Sequence, residues 1–144
     1  MAGFMKRESL DTLFAEFKKY NYIDAALNEK YNVKRGLRNS DGTGVLAGLT
    51  QICNVHGYVM NEGEKTPVEG VLTYRGIDVR AKVQSCIEEN RYGYEEVSYL
   101  LLFGHLPNRK QLEFYRTTLS PASALPMDFV QDMILKSPTR DIMN

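Results

Sequence analysis

Three basic side chains lie close together in a glycine-containing segment, where they could hold an anion. Lys34, Arg35 and Arg38 occur beside Gly36. A guanidinium group can donate two parallel hydrogen bonds to a phosphate, so the cluster is chemically suited to a phosphate ligand. The same composition also fits a solvated surface cluster. Phosphate binding and a plain surface patch therefore both stay open on composition alone.

The neighbouring segment Asn39–Gly44 contains an Asp-Gly pair after an asparagine, as the middle of an EF-hand calcium loop does. The spacing excludes that site, because the first ligand position would be Leu37 and the bidentate acid position would be Gly48. Neither of these residues carries a carboxylate, and the Gly-x-x-x-x-Gly-Lys pattern of phosphate-binding loops is also missing. We therefore interpret the segment as a turn and predict no metal site in the chain.

The histidines and cysteines give weaker signals. His56 and His105 could transfer protons near neutral pH, but neither has an acidic neighbour in sequence that would orient its ring. Cys53 and Cys86 form no Cys-x-x-Cys motif, which favours two thiols in a reducing compartment over a disulfide or a zinc site. Serine-hydrolase and zinc-protease motifs are absent. Hydrolase chemistry therefore has no motif support.

The elements that must position these residues follow from the spacing of the apolar side chains. Helical periodicity predicts helices over residues 8–20, 22–32, 78–89, 94–103, 109–119 and 127–136. Asn21 is predicted to cap the second helix. Over residues 44–75 short β-prone pieces alternate with glycines, and a turn is predicted at Asn61–Glu64. The sequence therefore predicts a mainly α, multi-helical fold with a small antiparallel β-sheet or hairpin over residues 44–75.

Local signals fix several helix ends and core faces. Gly104 stands where a left-handed C-terminal cap is needed, and Asn108 has capping-box spacing to Gln111. Val79, Val83 and Ile87 form one apolar stripe, and core-facing positions are predicted at Val97, Leu100 and Leu101 and at Val130, Met133 and Ile134. Thr139 could cap one more helix, of which only residues 140–144 are present. We therefore expect the chain to be part of a larger protein.

Charge and length narrow the class of protein. The 144 residues can bury a core of their own, and 18 basic residues balance 18 acidic ones. This balance excludes a polybasic nucleic-acid binder. No run of eighteen apolar residues occurs, and Met1–Glu8 lacks the order of a secretory signal. We expect a cytoplasmic protein with no nucleic-acid or membrane partner.

Two stretches resemble a known family. Gly70–Val79 reads GVLTYRGIDV, and Tyr94–Pro107 reads YEEVSYLLLFGHLP. In order and spacing they closely resemble citrate synthase, in which a strand ending in Tyr-Arg-Gly leads into a helix and then into a Glu-Glu-Val helix closed by Leu-Pro. Asn108–Leu119 resembles the next helix of that family. By this resemblance, residues 1–144 correspond to the N-terminal part of the citrate synthase large domain, without its catalytic remainder.

The resemblance implies an acyltransferase of the tricarboxylic acid cycle that condenses acetyl-CoA with oxaloacetate to give citrate and coenzyme A. The family's enzyme is a homodimer that needs no metal or cofactor other than the coenzyme A thioester substrate. Its two catalytic histidines and its catalytic aspartate come from later segments, and neither His56 nor His105 matches them. We therefore expect no catalytic residue in this chain and no activity from the chain alone.

One binding residue is carried over by the resemblance. Gly36-Leu37-Arg38 resembles the Gly-Leu-Arg or Gly-Met-Arg of some citrate synthases, where the arginine helps hold a phosphate of coenzyme A. Arg38 is therefore predicted to contact a phosphate of coenzyme A. Where the family often has His-Pro-Met, this chain has Ser137-Pro138-Thr139, so no nucleotide allostery is predicted.

Two alternatives stay open. A 2-methylcitrate synthase shares these motifs and uses propionyl-CoA in place of acetyl-CoA. A non-catalytic self-association module would instead use the apolar stripe of the first helix, formed by Leu10, Leu13, Phe14 and Phe17.

Overall fold

The computed structural model describes residues 6–34, 36 and 38–136. The helices are α1 (Arg7–Tyr20), α2 (Ala26–Lys30), α3 (Val79–Glu88), α4 (Tyr94–Phe103) and α5 (Arg109–Leu119). The strands are β1 (Cys53–Asn61), β2 (Glu64–Tyr74) and β3 (Ile77–Asp78), and a 3-10 turn (Ser120–Ser123) and a π-helix (Val130–Leu135) follow α5. The predicted fold class, mainly α with a small antiparallel sheet, is confirmed.

The sheet has the order β1-β2-β3, and both neighbouring pairs are antiparallel. A two-residue loop joins β1 to β2, and its residues Glu62 and Gly63 have φ angles of 51° and 88°. Positive φ at both loop residues matches the twist of a two-residue hairpin, and glycine adopts it without steric cost. The turn therefore forms where the sequence predicted it.

A bulge interrupts the hairpin near its middle. His56 lies opposite Val71 and Tyr58 lies opposite Pro67, so Gly57 alone faces the three residues 68–70. The extra residues of the bulge thus belong to β2. Strand β1 continues through this point without an insertion.

The sheet passes directly into helix α3. Arg75 and Gly76, with φ angles of 49° and 83°, form the two-residue turn between β2 and β3. Asp78 is the last residue of β3, where it pairs with Thr73. The Asp78 side chain also accepts hydrogen bonds from the backbone N–H groups of the next helix at 2.7 and 3.4 Å. One residue therefore ends the sheet and caps α3.

The hydrophobic core lies where α1, α4 and α5 meet. Its buried members are Leu13, Tyr99, Phe103 and Tyr115, and Phe17 packs against them. The rings of Tyr99 and Tyr115 meet edge to face at 5.5 Å between centroids, a favourable arrangement for aromatic pairs. The stripe predicted on the first helix therefore packs within the chain through Leu13 and Phe17, although Phe14 is 55% exposed.

Local capping explains why α4 and α5 have the bounds that the sequence predicted. Gly104 has a φ of 79°, and its N–H donates to the Leu100 carbonyl at 2.9 Å, which ends α4. Asn108 and Gln111 form the reciprocal hydrogen bonds of a capping box at the start of α5, at 2.9 and 3.0 Å.

The second predicted helix was too long. Helix α2 covers Ala26–Lys30 and not residues 22–32, and Asn21 does not cap it. The Asn21 side-chain amide donates instead to the Phe17 carbonyl at 2.8 Å and to the Leu102 carbonyl at 2.7 Å. The Asn21 Oδ1, which would have to cap a helix that starts at residue 22, accepts instead from Arg75 Nη2 at 2.6 Å.

Two further spans differ from prediction. Residues 45–50 form no strand, and the first strand begins at Cys53, because no neighbouring strand is placed to pair with the earlier segment among the described residues. The helix predicted over 127–136 is a π-helix, Val130–Leu135, on which Val130 and Met133 are about half exposed. The predicted cap Thr139 lies outside the described residues.

None of the described helices has both the length and the apolar character needed to cross a membrane.

Candidate functional site

Arg38 lies at the start of a tight loop that is held by hydrogen bonds among its own residues. It forms an isolated antiparallel bridge with Gly44, and the Asn39 N–H donates to the Thr43 carbonyl at 2.7 Å. The Gly42 N–H donates to the Asn39 carbonyl at 3.0 Å, and Gly42 has a φ of 84°. A side chain at this position would be strained, so the loop depends on its glycine.

The Arg38 side chain is exposed and only partly used by the loop. Its Nη1 donates to the Gly42 carbonyl at 2.8 Å, which is the one side-chain hydrogen bond of this guanidinium within the described ranges. A guanidinium has five N–H donors, so most of them face solvent and can bind an anion. Of the other members of the predicted basic cluster, Lys34 is exposed, while Arg35 lies outside the described residues.

Asp41 supports the loop through hydrogen bonds from Thr43. Its Oδ1 accepts hydrogen bonds from the Thr43 hydroxyl at 2.6 Å and from the Thr43 N–H at 3.0 Å. These bonds, with a smaller contribution from the charge of Lys34, lower the pKa of Asp41. Among residues 6–34, 36 and 38–136, no group of three or more acidic, histidine or cysteine side chains could hold a metal ion.

Arg75 connects the β2–β3 turn to the ends of two helices. Its Nη2 donates to Asn21 Oδ1 at 2.6 Å and to the Leu101 carbonyl at 3.0 Å, and its Nη1 donates to the Tyr20 carbonyl at 3.3 Å. Carbonyl groups at helix C-termini carry partial negative charge, so a cation is stabilised there. The sequence showed Arg75 only as part of a motif. Its Arg-Gly turn is a local signal, but its helix partners are far away in sequence.

An ion-pair cluster joins α3 to α4. Glu96 Oε2 contacts Lys82 Nζ and lies 2.7 Å from Arg91 Nη1, and Arg91 also pairs with Glu89. The side chains of Lys82 and Glu96 are 10% and 19% exposed. Burial alone raises the pKa of Glu96, but the hydrogen bonds and charges of Lys82 and Arg91 outweigh burial and lower it. Sequence reasoning missed this cluster, because its members lie in two helices and the turn between them.

Beside this cluster α3 and α4 leave an open cleft of about 810 Å³, which we call the α3–α4 cleft. Its apolar lining includes Val83, Cys86, Ile87, Val97 and Leu101. Val83 and Ile87, which belong to the stripe predicted on this helix, are 51% and 66% exposed. No described element lies over them, and their apolar surface remains in contact with water.

The two histidines lie in different surroundings. His105 Nε2 lies 3.2 Å from Glu16 Oε1, and the His105 ring packs edge to face against Tyr99 and Tyr20. Burial, and then the nearby Glu16 carboxylate, raise the pKa of Tyr99 to about 12. His56 is exposed on β1. His105 therefore packs at the junction between α1 and α4. It is not part of the Arg38 loop.

Comparison with known proteins gives a consistent result. The family described as citrate synthase, C-terminal domain, matches residues 36–144. Peroxisomal citrate synthase 1 of Arabidopsis thaliana is 39% identical over 70 residues, which are 49% of this chain and 13% of that protein. The 2-methylcitrate synthase of Shewanella oneidensis is 42% identical over 55 residues, 38% of this chain and 13% of that protein.

The 2-methylcitrate synthase 1 of Corynebacterium glutamicum is 36% identical over 86 residues, 60% of this chain and 17% of that protein. The aligned region thus spans less than a fifth of each of these relatives. No solved structure matches the chain. The family match includes the Arg38 loop, the hairpin and helices α3 to α5, and it covers well over half of the residues. The chain therefore belongs to the citrate synthase family.

Proposed function

We propose that this chain is part of an enzyme that condenses acetyl-CoA with oxaloacetate to give citrate and coenzyme A. The observation that carries the proposal is the family match over residues 36–144, which includes both stretches that resemble citrate synthase. We place the chain in the N-terminal part of the large domain, because of the order of its strand and helix motifs. The description of the matching family refers to a C-terminal domain. Sequencing the reading frame upstream and downstream of this segment tests our placement, because an N-terminal part requires that the rest of the enzyme be encoded downstream.

Within this proposal Arg38 holds a phosphate of coenzyme A. Its guanidinium is exposed, donates once to the Gly42 carbonyl and keeps further N–H groups directed at solvent. The hydrogen bonds of the Asn39–Gly44 loop hold the backbone beside it in one conformation. A fixed backbone beside Arg38 reduces the conformational entropy that is lost on binding, and the planar guanidinium can donate two parallel hydrogen bonds to the oxygens of a phosphate.

Calorimetric titration of the chain with coenzyme A tests this role. Charge-assisted hydrogen bonds contribute about 1.5–3 kcal/mol, so Arg38→Ala is expected to weaken binding about tenfold or more. The matched control is Arg109→Ala, which removes an exposed arginine at the first residue of α5. Equal affinity of Arg38→Ala and the unsubstituted chain for coenzyme A would show that Arg38 is a surface residue only.

The chain alone is proposed to be inactive, because the family's catalytic groups come from segments that do not match these residues. Thiol release from acetyl-CoA in the presence of oxaloacetate measures this directly. An enzyme-like rate from the purified chain would contradict the proposal.

The homodimer, the role in the tricarboxylic acid cycle and the cytoplasmic location remain predictions. Two relatives carry the names peroxisomal and glyoxysomal.

A second candidate is the 2-methylcitrate reaction, which uses propionyl-CoA. It is favoured by the Shewanella oneidensis and Corynebacterium glutamicum relatives, both of which are named 2-methylcitrate synthases. The decisive measurement is kcat/KM for acetyl-CoA and for propionyl-CoA with the complete enzyme that contains this chain. A clear preference for propionyl-CoA would replace the first candidate with the second and leave the family assignment unchanged.

A further inference from the structure

The segment that carries Arg38 leaves and rejoins the molecule at one place. This segment, which we call the Arg38 segment, consists of residues 22–51 and lies between α1 and β1. None of its described residues is buried. Within the described ranges, no hydrogen bond or ion pair joins residues 23–49 to another part of the chain. The direction of the segment relative to the helical core therefore depends mainly on how its two ends are held.

Arg75 binds both ends of the Arg38 segment. At the first end, its guanidinium donates to the Tyr20 carbonyl at 3.3 Å and to Asn21 Oδ1 at 2.6 Å. At the second end, its backbone N–H donates to the Ile52 carbonyl at 2.8 Å, and its Nη1 donates to the Gln51 carbonyl at 3.4 Å. The two ends are therefore held together by one residue.

The two arms of the Arg38 segment also contact each other at three levels. From Arg75 outward, these contacts are Gln51 Nε2 to the Tyr22 carbonyl at 3.4 Å, the Lys34 N–H to the Leu46 carbonyl at 3.0 Å, and the bridge between Arg38 and Gly44. Because each contact joins one arm to the other, a constraint at the base of the segment also limits the position of its tip.

The two arginines use their donors in different ways. Five hydrogen bonds run from the Arg75 guanidinium to the protein, which equals the number of N–H donors that a guanidinium has. Arg38 makes one side-chain hydrogen bond within the described ranges. Arg75 therefore has no donor left for an anion, whereas Arg38 has several.

We propose that Arg75 is a positioning residue for coenzyme binding: it holds the two ends of the Arg38 segment against the helical core and so fixes the direction from which Arg38 meets the phosphate. This role rests on the proposed function of Arg38. Arg75 itself contacts no part of the coenzyme.

The effect on affinity follows from the fraction of molecules in which Arg38 is in place. A site that is competent for binding only part of the time has an apparent affinity that is lower by that fraction. If release of the base leaves the Arg38 segment in the binding direction about a tenth of the time, coenzyme binding weakens about tenfold. Chemistry on the bound substrate is unaffected, because no reacting group is removed.

Steady-state kinetics of the complete enzyme that contains this chain test the role. Arg75→Ala is expected to raise KM for acetyl-CoA about tenfold and to leave kcat within about twofold. In an Arg38→Ala background, Arg75→Ala is expected to raise KM no further, because no guanidinium is left to position. An increase of the same size in both backgrounds, or no increase in either, would overturn the proposed role.

Leu13→Ala is the matched control for a general loss of stability. Leu13 is buried in the helical core, so its truncation destabilises the fold, but it makes no hydrogen bond to the Arg38 segment. Its KM for acetyl-CoA is expected to equal that of the unsubstituted enzyme. An increase in KM as large as that of Arg75→Ala would overturn the proposed role, since lower stability alone would then explain both variants.

Amide hydrogen exchange of the chain provides a second test that involves no coenzyme. The Lys34 N–H lies on the contact between the two arms, and the Leu112 N–H, which donates to the Asn108 carbonyl in α5, serves as the reference. Arg75→Ala is expected to raise the ratio of the Lys34 exchange rate to the Leu112 exchange rate several-fold, and Leu13→Ala is expected to leave this ratio unchanged.

The two experiments separate failure of this inference from failure of the proposed function. An exchange ratio that Arg75→Ala does not change would overturn the positioning role of Arg75. A KM for acetyl-CoA that Arg38→Ala does not change would overturn the coenzyme-binding role of Arg38, on which the positioning role rests.

Arg75→Lys replaces Arg75→Ala in both experiments if circular dichroism shows that the alanine variant does not fold. Lysine keeps the charge but cannot reach both ends of the Arg38 segment at once, so KM and the exchange ratio are expected to rise by smaller factors in the same direction. Values equal to those of the unsubstituted protein would overturn the proposed role.

Discussion

The guanidinium of Arg75 donates a 2.6 Å hydrogen bond to the side-chain oxygen of Asn21, across 54 residues of sequence. Arg75 also binds the carbonyls of Tyr20 and Leu101, and Asn21 donates to the Leu102 carbonyl. These two side chains therefore bring the C-terminal ends of α1 and α4 to the turn between β2 and β3. The helical core and the sheet are joined at this point.

Replacement of Arg75 should destabilise the fold. Hydrogen bonds from a charged group contribute about 1.5–3 kcal/mol, so Arg75→Ala is expected to lower the free energy of unfolding by about 2–3 kcal/mol in urea denaturation. Arg75→Lys keeps the charge, but a lysine cannot reach several acceptors at once. Its free energy of unfolding should therefore lie between those of Arg75→Ala and the unsubstituted chain. Arg80→Ala removes an exposed pair with Glu69 and should have no measurable effect. Equal effects of Arg75→Ala and Arg80→Ala would contradict this role.

Glu96 should make stability depend on acid. Burial raises its pKa, but Lys82 and Arg91 outweigh burial, so the folded-state pKa lies below the ordinary value of 4.5. The stabilisation is therefore complete above the ordinary pKa and is lost as the pH falls through the lower, folded-state pKa. The stability difference between the unsubstituted chain and Glu96→Gln should shrink over that window when thermal unfolding is followed from pH 7 to acid.

The control for this titration is Glu113→Gln, which alters an exposed carboxylate on α5. Its stability should follow that of the unsubstituted chain at every pH. A constant gap between Glu96→Gln and the unsubstituted chain down to the lowest pH would show that the carboxylate charge of Glu96 does not stabilise the fold.

Tyr99 should be the source of an alkaline transition. Burial, and then the Glu16 carboxylate, raise its pKa to about 12 in the folded chain, above the ordinary value of 10. The stabilisation is present below the ordinary value and is lost as the pH rises through the folded-state pKa. Phenolate absorbance should show a titration step near the raised pKa of Tyr99, and Tyr99→Phe should remove that step. A titration curve unchanged by Tyr99→Phe would contradict the assignment.

The capping box at the start of α5 should be measurable alone. Asn108→Ala removes the oxygen that accepts from the Gln111 N–H and is expected to lower the free energy of unfolding by about 1 kcal/mol, whereas Asn108→Gly should lower it by a few tenths. Urea denaturation of both variants provides the comparison. A larger loss of stability for Asn108→Gly than for Asn108→Ala would show that the side chain acts mainly by restricting the unfolded backbone and not by capping the helix.

The sequence predicted those features that depend on neighbours a few residues apart. The ends of α4 and α5 follow from Gly104 and Asn108, and the hairpin turn follows from Gly63, because each of these effects acts within one turn of backbone. The resemblance to citrate synthase came from continuous stretches of the same kind. The family assignment could therefore be made before any contact was known.

Features that depend on distant partners could not be predicted. Asn21 is a residue type that often caps helices, yet its side-chain oxygen accepts from the guanidinium of Arg75, 54 residues away. Val83 and Ile87 have helical spacing typical of a core, but periodicity shows only that a face is apolar and not which element covers it. The Arg38 loop was located as a turn, whereas the fixation of its backbone by Asp41 and Thr43 required the structure.

Asp78 gives the molecule a mechanical property. Because this single residue ends the sheet and caps α3, no flexible joint separates the hairpin from the helix. A change in the orientation of β3 relative to the helical core would therefore also reorient α3, which forms one wall of the α3–α4 cleft.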